Sequence, residues 1–364
     1  MKKTTAKPST AGSRKPPAPR SRARAKVLPE KAAPSRPTPV AARSKPASAQ
    51  SKPAPARPTP VAARPKPTPA RPKIAVPRGP GVKAGAASAR SSSTGVLMPL
   101  HEGIVYGPIR SRRLGRSLGI NLTPAHLKLC TFNCSYCQYG WSEHSRRAVT
   151  PSFEHWPSPA TVAKAVGVAI RTLASQGERI DRLTLAGHGE PTLHPKFKDV
   201  VDALRAVRDD LAPGVPLAVL SNASTLERAD VREALAGLDE RYMKLDAGDT
   251  ATLRTVNGAT VTIEQLVAGL KKVPDIVIQS MFVKDRTGRI DNTGDLTVIN
   301  WVGALDRIKP KAVQVYTIDR APAFPYLQQV APARLLEIAL RVRLAGFRCD
   351  VFGLPDAPPE SSKA

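Results

Sequence analysis

An α/β chain of repeated strand–helix units, preceded by a long basic tail, follows from three observations on the 364-residue sequence. Short β-branched runs recur, and after the first their starts lie 25–37 residues apart, the length of one βα unit. Helical periodicity fills the gaps between them. Composition breaks near residue 95: residues 1–95 hold 22 Lys/Arg against one acid, Glu30, and 19 of the 37 prolines, whereas the remainder carries 34 Lys/Arg and 28 Asp/Glu. Repeated βα units imply a parallel sheet, either a barrel or a doubly wound sheet, and in both the ligands gather at the carboxyl ends of the strands.

Residues 1–95 read as disordered. The segment has almost no large apolar side chains and no aromatic residue, so burial cannot offset the entropy of ordering its backbone. Arg-Pro-Thr-Pro-Val-Ala-Ala-Arg runs from Arg36 to Arg43 and again from Arg57 to Arg64, a repeat that favours extended, polyproline-like chain. Two roles stay open: attraction of RNA or another polyanion through phosphate neutralisation, or a solubilising spacer with no specific partner. The start is loosely like an organelle transit peptide, but its proline spacing prevents an amphipathic helix. No apolar run is long enough to span a membrane and no secretory core follows the basic start, so a cytoplasmic protein is expected.

The folded body is expected over residues 96–353, with a flexible end at 354–364. Its strands are expected at 117–122, 183–186, 217–220, 242–245, 276–283 and 313–317, with a seventh at 348–352. Val162, Val166, Ile170 and Leu173 share one helical face behind an N-capping Ser158 and Pro159. Phe197, Val200, Val201 and Leu204 share another. Thr262 and Gln265 form a capping box ahead of Ile263, Leu266, Val267 and Leu270.

Just after the first expected strand the chain reads Cys130-Thr-Phe-Asn-Cys134-Ser-Tyr-Cys137. Three of the four cysteines fall within eight residues, which argues for a metal site in a reducing compartment rather than a disulfide framework. Three thiolates on a short loop can each bind one iron of a [4Fe–4S] cubane and leave the fourth iron open. Structural zinc is the rival, with His126 or His144 completing the ligands. Cys349, in a strand pattern far along the chain, reads as a small buried hydrophobe.

The C-x3-C-x2-C spacing with Tyr136 before the last cysteine resembles the radical S-adenosylmethionine (SAM) superfamily over about residues 100–350. The resemblance implies a partial (β/α)6 TIM-type barrel with the cluster loop after the first strand. It also implies a [4Fe–4S] cluster held by Cys130, Cys134 and Cys137, SAM chelating the open iron, and reductive cleavage to a 5′-deoxyadenosyl radical that abstracts a hydrogen atom. The segment Gly187-His188-Gly189-Glu190-Pro191 looks like the superfamily's Gly-Gly-Glu motif, whose backbone meets the SAM amino group; His188 stands where many members have glycine. Ser221, Asn222, Lys244 and Asp246, at the ends of the third and fourth strands, resemble residues that hold SAM's ribose and carboxylate. Gln279 and Met281 are further candidates on the fifth strand.

Ahead of the first strand, Arg110, Arg112, Arg113 and Arg116 offer phosphate or carboxylate recognition, or a solvated charge run. The string Gly115-Arg-Ser-Leu-Gly-Ile-Asn121 that follows is similar to a radical SAM subgroup related to wyosine-type tRNA modification enzymes. Gln138, Tyr139 and Trp141 either line the substrate side or pack the loop. The resemblance implies an external electron donor, flavodoxin- or ferredoxin-like, and an unidentified substrate for which an RNA nucleoside is one option. The alternative is a non-catalytic Fe–S or zinc-binding RNA-interaction module.

Overall fold

The computed structural model describes residues 95–142 and 156–354. The tail expected at 1–95, apart from Gly95, the flexible end at 354–364, apart from Leu354, and His144 lie outside the described residues.

The chain opens with a hairpin of β1 (Val105–Ser111) and β2 (Gly115–Ile120), followed by α1 (Pro159–Ser175). Then come β3 (Arg182–Leu185), α2 (Phe197–Leu211), β4 (Leu217–Ser221), α3 (Ala229–Ala236), β5 (Glu240–Lys244), α4 (Thr250–Asn257) and α5 (Ile263–Leu270). The last part holds β6 (Ile276–Phe282), β7 (Lys284–Asp285), α6 (Asp295–Ile308), β8 (Ala312–Thr317), β9 (Leu327–Gln328), α7 (Pro332–Leu344) and β10 (Cys349–Val351). The main sheet runs β1-β2-β3-β4-β5-β6-β8-β10; every neighbouring pair is parallel except β1 with β2, and β7 pairs with β9 apart from it.

All seven expected strands are therefore present, offset by one or two residues at some ends. The strand expected at 117–122 stops at Ile120, so Asn121 and Leu122 already belong to the loop that carries the cysteines. Strand β1 was not among the expected strands; it contains Arg110 and the pair Gly107-Pro108. The structure accommodates both on an edge strand, with an irregularity in pairing between Tyr106 and Ile109. A turn of 3-10 helix, Pro191–Leu193, capped by the Glu190 side chain, follows β3, and α2 begins at Phe197.

Strand alternation separates two apolar regions. Leu217 and Val219 of β4 pack with the helices in the main core, as do Leu118, Ile120, Leu183, Leu185, Ile278, Val313 and Val315. Ala218 and Leu220, on the opposite face of the same strand, join Leu114 and Tyr242 in a small inner cluster. Both faces are buried, as a parallel sheet inside a shell of helices requires. The helix faces expected from periodicity are the ones that pack: Val162, Val166, Val200, Val201 and Leu204 are all fully buried. Ser158 caps α1 and the Thr262–Gln265 capping box opens α5.

The sheet is open, with β1 and β10 as its edges, but strongly curved in the manner of a partial barrel. The turn between β1 and β2 reaches across to the end of β8: Arg112 Nη2 lies 2.8 Å from Asp319 Oδ2, and the Arg113 guanidinium lies 3.9 Å from the centre of the Tyr316 ring.

Candidate functional site

The cysteine loop leaves the carboxyl end of β2 and is clamped from three sides. The Glu190 amide donates to Leu129 O at 2.9 Å. Asn133 N and Ser135 N donate to Asn257 O and Val256 O, at the end of α4, at 2.8 and 2.9 Å. Phe324 N, beyond β8, donates to Ser135 O at 2.8 Å. Within the loop, Cys137 N donates to Cys134 O at 3.1 Å and the buried Lys128 ammonium donates to Gly140 O.

The three thiols are partly buried. Burial above all, then the neighbouring Cys134 and Glu190, pushes the Cys130 thiol far up. Burial, followed by the Asp246 charge, pushes Cys134 up to about 11. The loop alone thus favours the protonated thiols of Cys130 and Cys134, and a cationic partner such as iron is what would stabilise their thiolates. Two asparagines face them: Asn222 Nδ2 donates to Cys130 Sγ at 3.5 Å and Asn257 Nδ2 to Cys134 Sγ at 3.4 Å. Sulfur hydrogen bonds of this kind are what Fe–S sites use to set potential. Among the described residues no three His, Cys, Asp or Glu converge tightly enough to hold one metal ion. A cubane asks for less convergence, because each cysteine takes a separate iron. Three thiols on one loop, two of them facing asparagine amides, are the donor chemistry such a cluster would use.

The Gly187–Pro191 turn lies against this loop. A Cβ on Gly189 would sit 2.1 Å from Leu129 O, and one on Gly187, at φ +156°, 2.2 Å from Asn121 Oδ1, so neither position admits a side chain. The buried Glu190 carboxylate is fully engaged. Its Oε1 accepts from Thr192 N (3.1 Å), Thr192 Oγ1 (2.7 Å) and Ser221 Oγ (2.8 Å), and its Oε2 accepts from Asn222 N (2.7 Å). Burial raises its pKa and these donors only partly offset that. Glu190 and Ser221 thus join the ends of β3 and β4, and what they leave free for a ligand is main chain. Asn222 is tied down too: its Nδ2 also donates to Thr131 Oγ1 (2.8 Å), and its Oδ1 accepts from Ser224 N (3.0 Å).

Lys244 and Asp246 form a second knot. Asp246 Oδ1 accepts from Met281 N at 2.7 Å and pairs with Lys244 Nζ at 2.9 Å; its Oδ2 accepts from Asn257 Nδ2 at 2.7 Å and from the Tyr136 hydroxyl. Burial would lower the Lys244 pKa, but the Asp246 charge, Tyr316 and the hydrogen bonds to both together hold it above its ordinary value. Asp246 reaches the sulfurs indirectly, through Asn257 and Tyr136. Gln279 is paired with Gln314 (2.8 Å), and Met281 contributes its amide.

Sequence reasoning missed Asn257. It is 1% exposed, touches Asp246, Tyr136 and Cys134 through Nδ2, and its Oδ1 is buried without a partner. Asn-Gly at a helix end reads as a stop signal, and Gly258 is indeed the left-handed cap of α4. His188 is a structural strap: its Nδ1 accepts from His101 N (3.1 Å) and its Nε2 meets Pro124 O (2.9 Å). Burial lowers its pKa. The loop residues divide in function: Tyr139 bonds His101 (2.7 Å), Gln138 accepts from Arg320 (2.7 Å), and Trp141 is 51% exposed. The arginine run divides as well. Arg112 and Arg116 pair with Asp319 and Glu178, Arg110 is exposed, and Arg113 turns inward.

A family model described as the radical SAM superfamily matches residues 125–287. A UPF0026 protein of Methanocaldococcus jannaschii is 30% identical over 234 residues, covering 62% of this chain and 66% of that protein. A UPF0026 protein of Helicobacter pylori is 30% identical over 227 residues, covering 61% and 68%. The chain thus spans about two thirds of the length of these curated relatives. A solved radical SAM methyltransferase from Sphaerobacter thermophilus superposes with a TM-score of 0.48 at 12% identity, covering 65% of each chain. Among the described residues no helix is long and apolar enough to cross a membrane. The chain belongs with the UPF0026 proteins and carries a radical SAM superfamily domain over residues 125–287.

Proposed function

We propose that this protein is a SAM-cleaving radical enzyme, with Cys130, Cys134 and Cys137 as ligands of a [4Fe–4S] cluster. The observation that carries the reading is the cysteine loop at the carboxyl edge of a curved parallel sheet, with two asparagine amides donating to its sulfurs. A bound cluster and SAM would together supply one-electron cleavage of the sulfonium and a 5′-deoxyadenosyl radical that removes a hydrogen atom from substrate. The chain's own part is positional. Gly187, Gly189, Glu190 and Pro191 offer a main-chain edge beside the cysteine loop, suited to SAM's amino group. Ser221 and Asn222 hold that edge in register with the end of β4. Lys244 supplies positive charge for a carboxylate, and Asp246 fixes both Lys244 and Asn257. The reading includes an external one-electron donor, a flavodoxin- or ferredoxin-like protein, and a reducing, cytoplasmic setting.

An RNA nucleoside is the substrate favoured by the 22 Lys/Arg against one acid in residues 1–95. Deleting that segment and measuring tRNA affinity across a salt series tests it: unchanged affinity and salt slope would remove the idea. The enzyme reading is tested by anaerobic reconstitution with iron and sulfide. About four irons per chain and a paramagnetic signal that changes on adding SAM are expected; bound zinc in place of iron would overturn it.

A further inference from the structure

Arg113 is the one inward-turned member of its arginine run. Its Nη1 is buried and has no hydrogen-bond partner. No carboxylate among the described residues pairs with it; its contact is the Tyr316 ring, 3.9 Å from the guanidinium carbon. The Tyr316 hydroxyl accepts from Lys244 Nζ at 2.9 Å, and no described acceptor takes its own proton. Lys244 is matched by Asp246 at 2.9 Å, so the cluster carries one positive charge in excess. A buried guanidinium nitrogen left unpaired is costly, and an anion reaching it would satisfy it.

The three side chains come from distant parts of the chain: the β1–β2 turn, the end of β5 and the end of β8. The group is not wholly enclosed: the Lys244 side chain is 19% exposed and Arg113 is only partly buried. The group adjoins the cysteine loop, because Lys244 Nζ lies 5.0 Å from the centres of both the Tyr136 and Tyr316 rings. Burial would raise the Tyr316 pKa, but Lys244 and Arg113 more than offset this and hold it below its ordinary value, making the hydroxyl a stronger donor.

The geometry points to an oxyanion subsite inside the curved sheet, in which Arg113 Nη1 and the Tyr316 hydroxyl donate to a phosphate or carboxylate group of the substrate. Lys244 keeps the role given above and here only positions the Tyr316 hydroxyl through its 2.9 Å hydrogen bond. The subsite adds substrate chemistry to the enzyme reading above: a molecule bearing an anionic group, delivered to the sheet face beside the cysteine loop. It rests on that reading for its role in catalysis but not for its existence as an anion site.

The test is calorimetric titration of the full-length protein with inorganic phosphate, and separately with acetate, with and without saturating SAM. The basic tail contributes nonspecific binding, so the quantity of interest is the component that depends on Arg113. Loss of one charge-assisted hydrogen bond predicts that Arg113→Gln weakens this component by about tenfold or more, and Tyr316→Phe by about fivefold. Arg113→Lys, which keeps the charge without the fork, should recover part of the loss. Thermal midpoints identify a variant that fails to fold, and Tyr316→Phe, which preserves the ring, then decides. Identical phosphate and acetate binding in wild type and the folded variants would overturn the subsite. Displacement of the Arg113-dependent component by SAM would assign the site to SAM's own carboxylate and also overturn the proposal. Retention of that component with SAM bound supports a substrate oxyanion. Arg113-dependent binding in a protein that takes up neither iron nor SAM would leave the subsite standing and sink the enzyme reading instead.

Discussion

Replacing Asp246 by alanine removes four interactions at once, and their sizes can be worked from the structure. The side chain is fully buried and accepts from Met281 N, Asn257 Nδ2 and Tyr136 while pairing with Lys244 at 2.9 Å. Breaking one partner out of a buried ion pair costs about 3–5 kcal/mol, because the survivor is left charged and unpaired. Lys244 retains 19% exposure, which favours the lower end, while the Tyr136 and Asn257 donors left unsatisfied add to it. A net destabilisation of about 4 kcal/mol follows, equivalent to a fall in thermal midpoint of about 8–16 °C for a domain of this size. Much of that cost is the stranded ammonium, so the double variant Asp246→Ala/Lys244→Met should be less destabilised than the sum of the two single variants, by about 1–2 kcal/mol. The assay is thermal and urea unfolding of anaerobically purified protein before iron is added. A midpoint within about 2 °C of wild type, or strict additivity in the double variant, would refute the reasoning.

Other expectations follow from the same geometry. Gly189→Ala places a methyl 2.1 Å from Leu129 O, a backbone atom of the cysteine loop, and should cut iron retention after reconstitution by more than half; full loading would show that the loop yields freely. His188 is fully buried and burial lowers its pKa from 6.5, so its contribution to stability is complete above about 6.5 and is lost as pH falls from there toward the lower folded value. The urea midpoint of wild type should accordingly drop between pH 7 and 5.5, and His188→Phe should flatten that slope; an unchanged slope contradicts it. Asn257→Leu removes the donor to Cys134 Sγ and should lower the reduction potential of the reconstituted cluster, measured by electrochemical titration. An unshifted potential would leave Asn257 with a packing role alone.

What was legible in the sequence was local. The capping box at Thr262 and the apolar faces of α1 and α2 depend on neighbours within one or two turns, and each is found where it was expected; the spacing of Cys130, Cys134 and Cys137 is local in the same sense. Gly189, Glu190 and Pro191 were recognised as a motif, but the use of the Glu190 carboxylate to join β3 to β4 depends on Ser221 and Asn222, about thirty residues away. Strand β1 was hidden because an edge strand tolerates proline and charge that a central strand would not. Asn257 was hidden because Asn-Gly at a helix end has an ordinary explanation. The pairing of Arg113 with Tyr316 arises only from curvature of the sheet, which no local pattern encodes.

The central claim is that the cysteine loop supports radical cleavage of SAM. The most direct measurement is 5′-deoxyadenosine formed by the anaerobically reconstituted protein with dithionite and SAM, beside a Cys134→Ala variant. The account predicts product from the wild type and none above background from the variant. No product from wild type carrying a full complement of iron and shown to bind SAM, or equal product from both proteins, would contradict it.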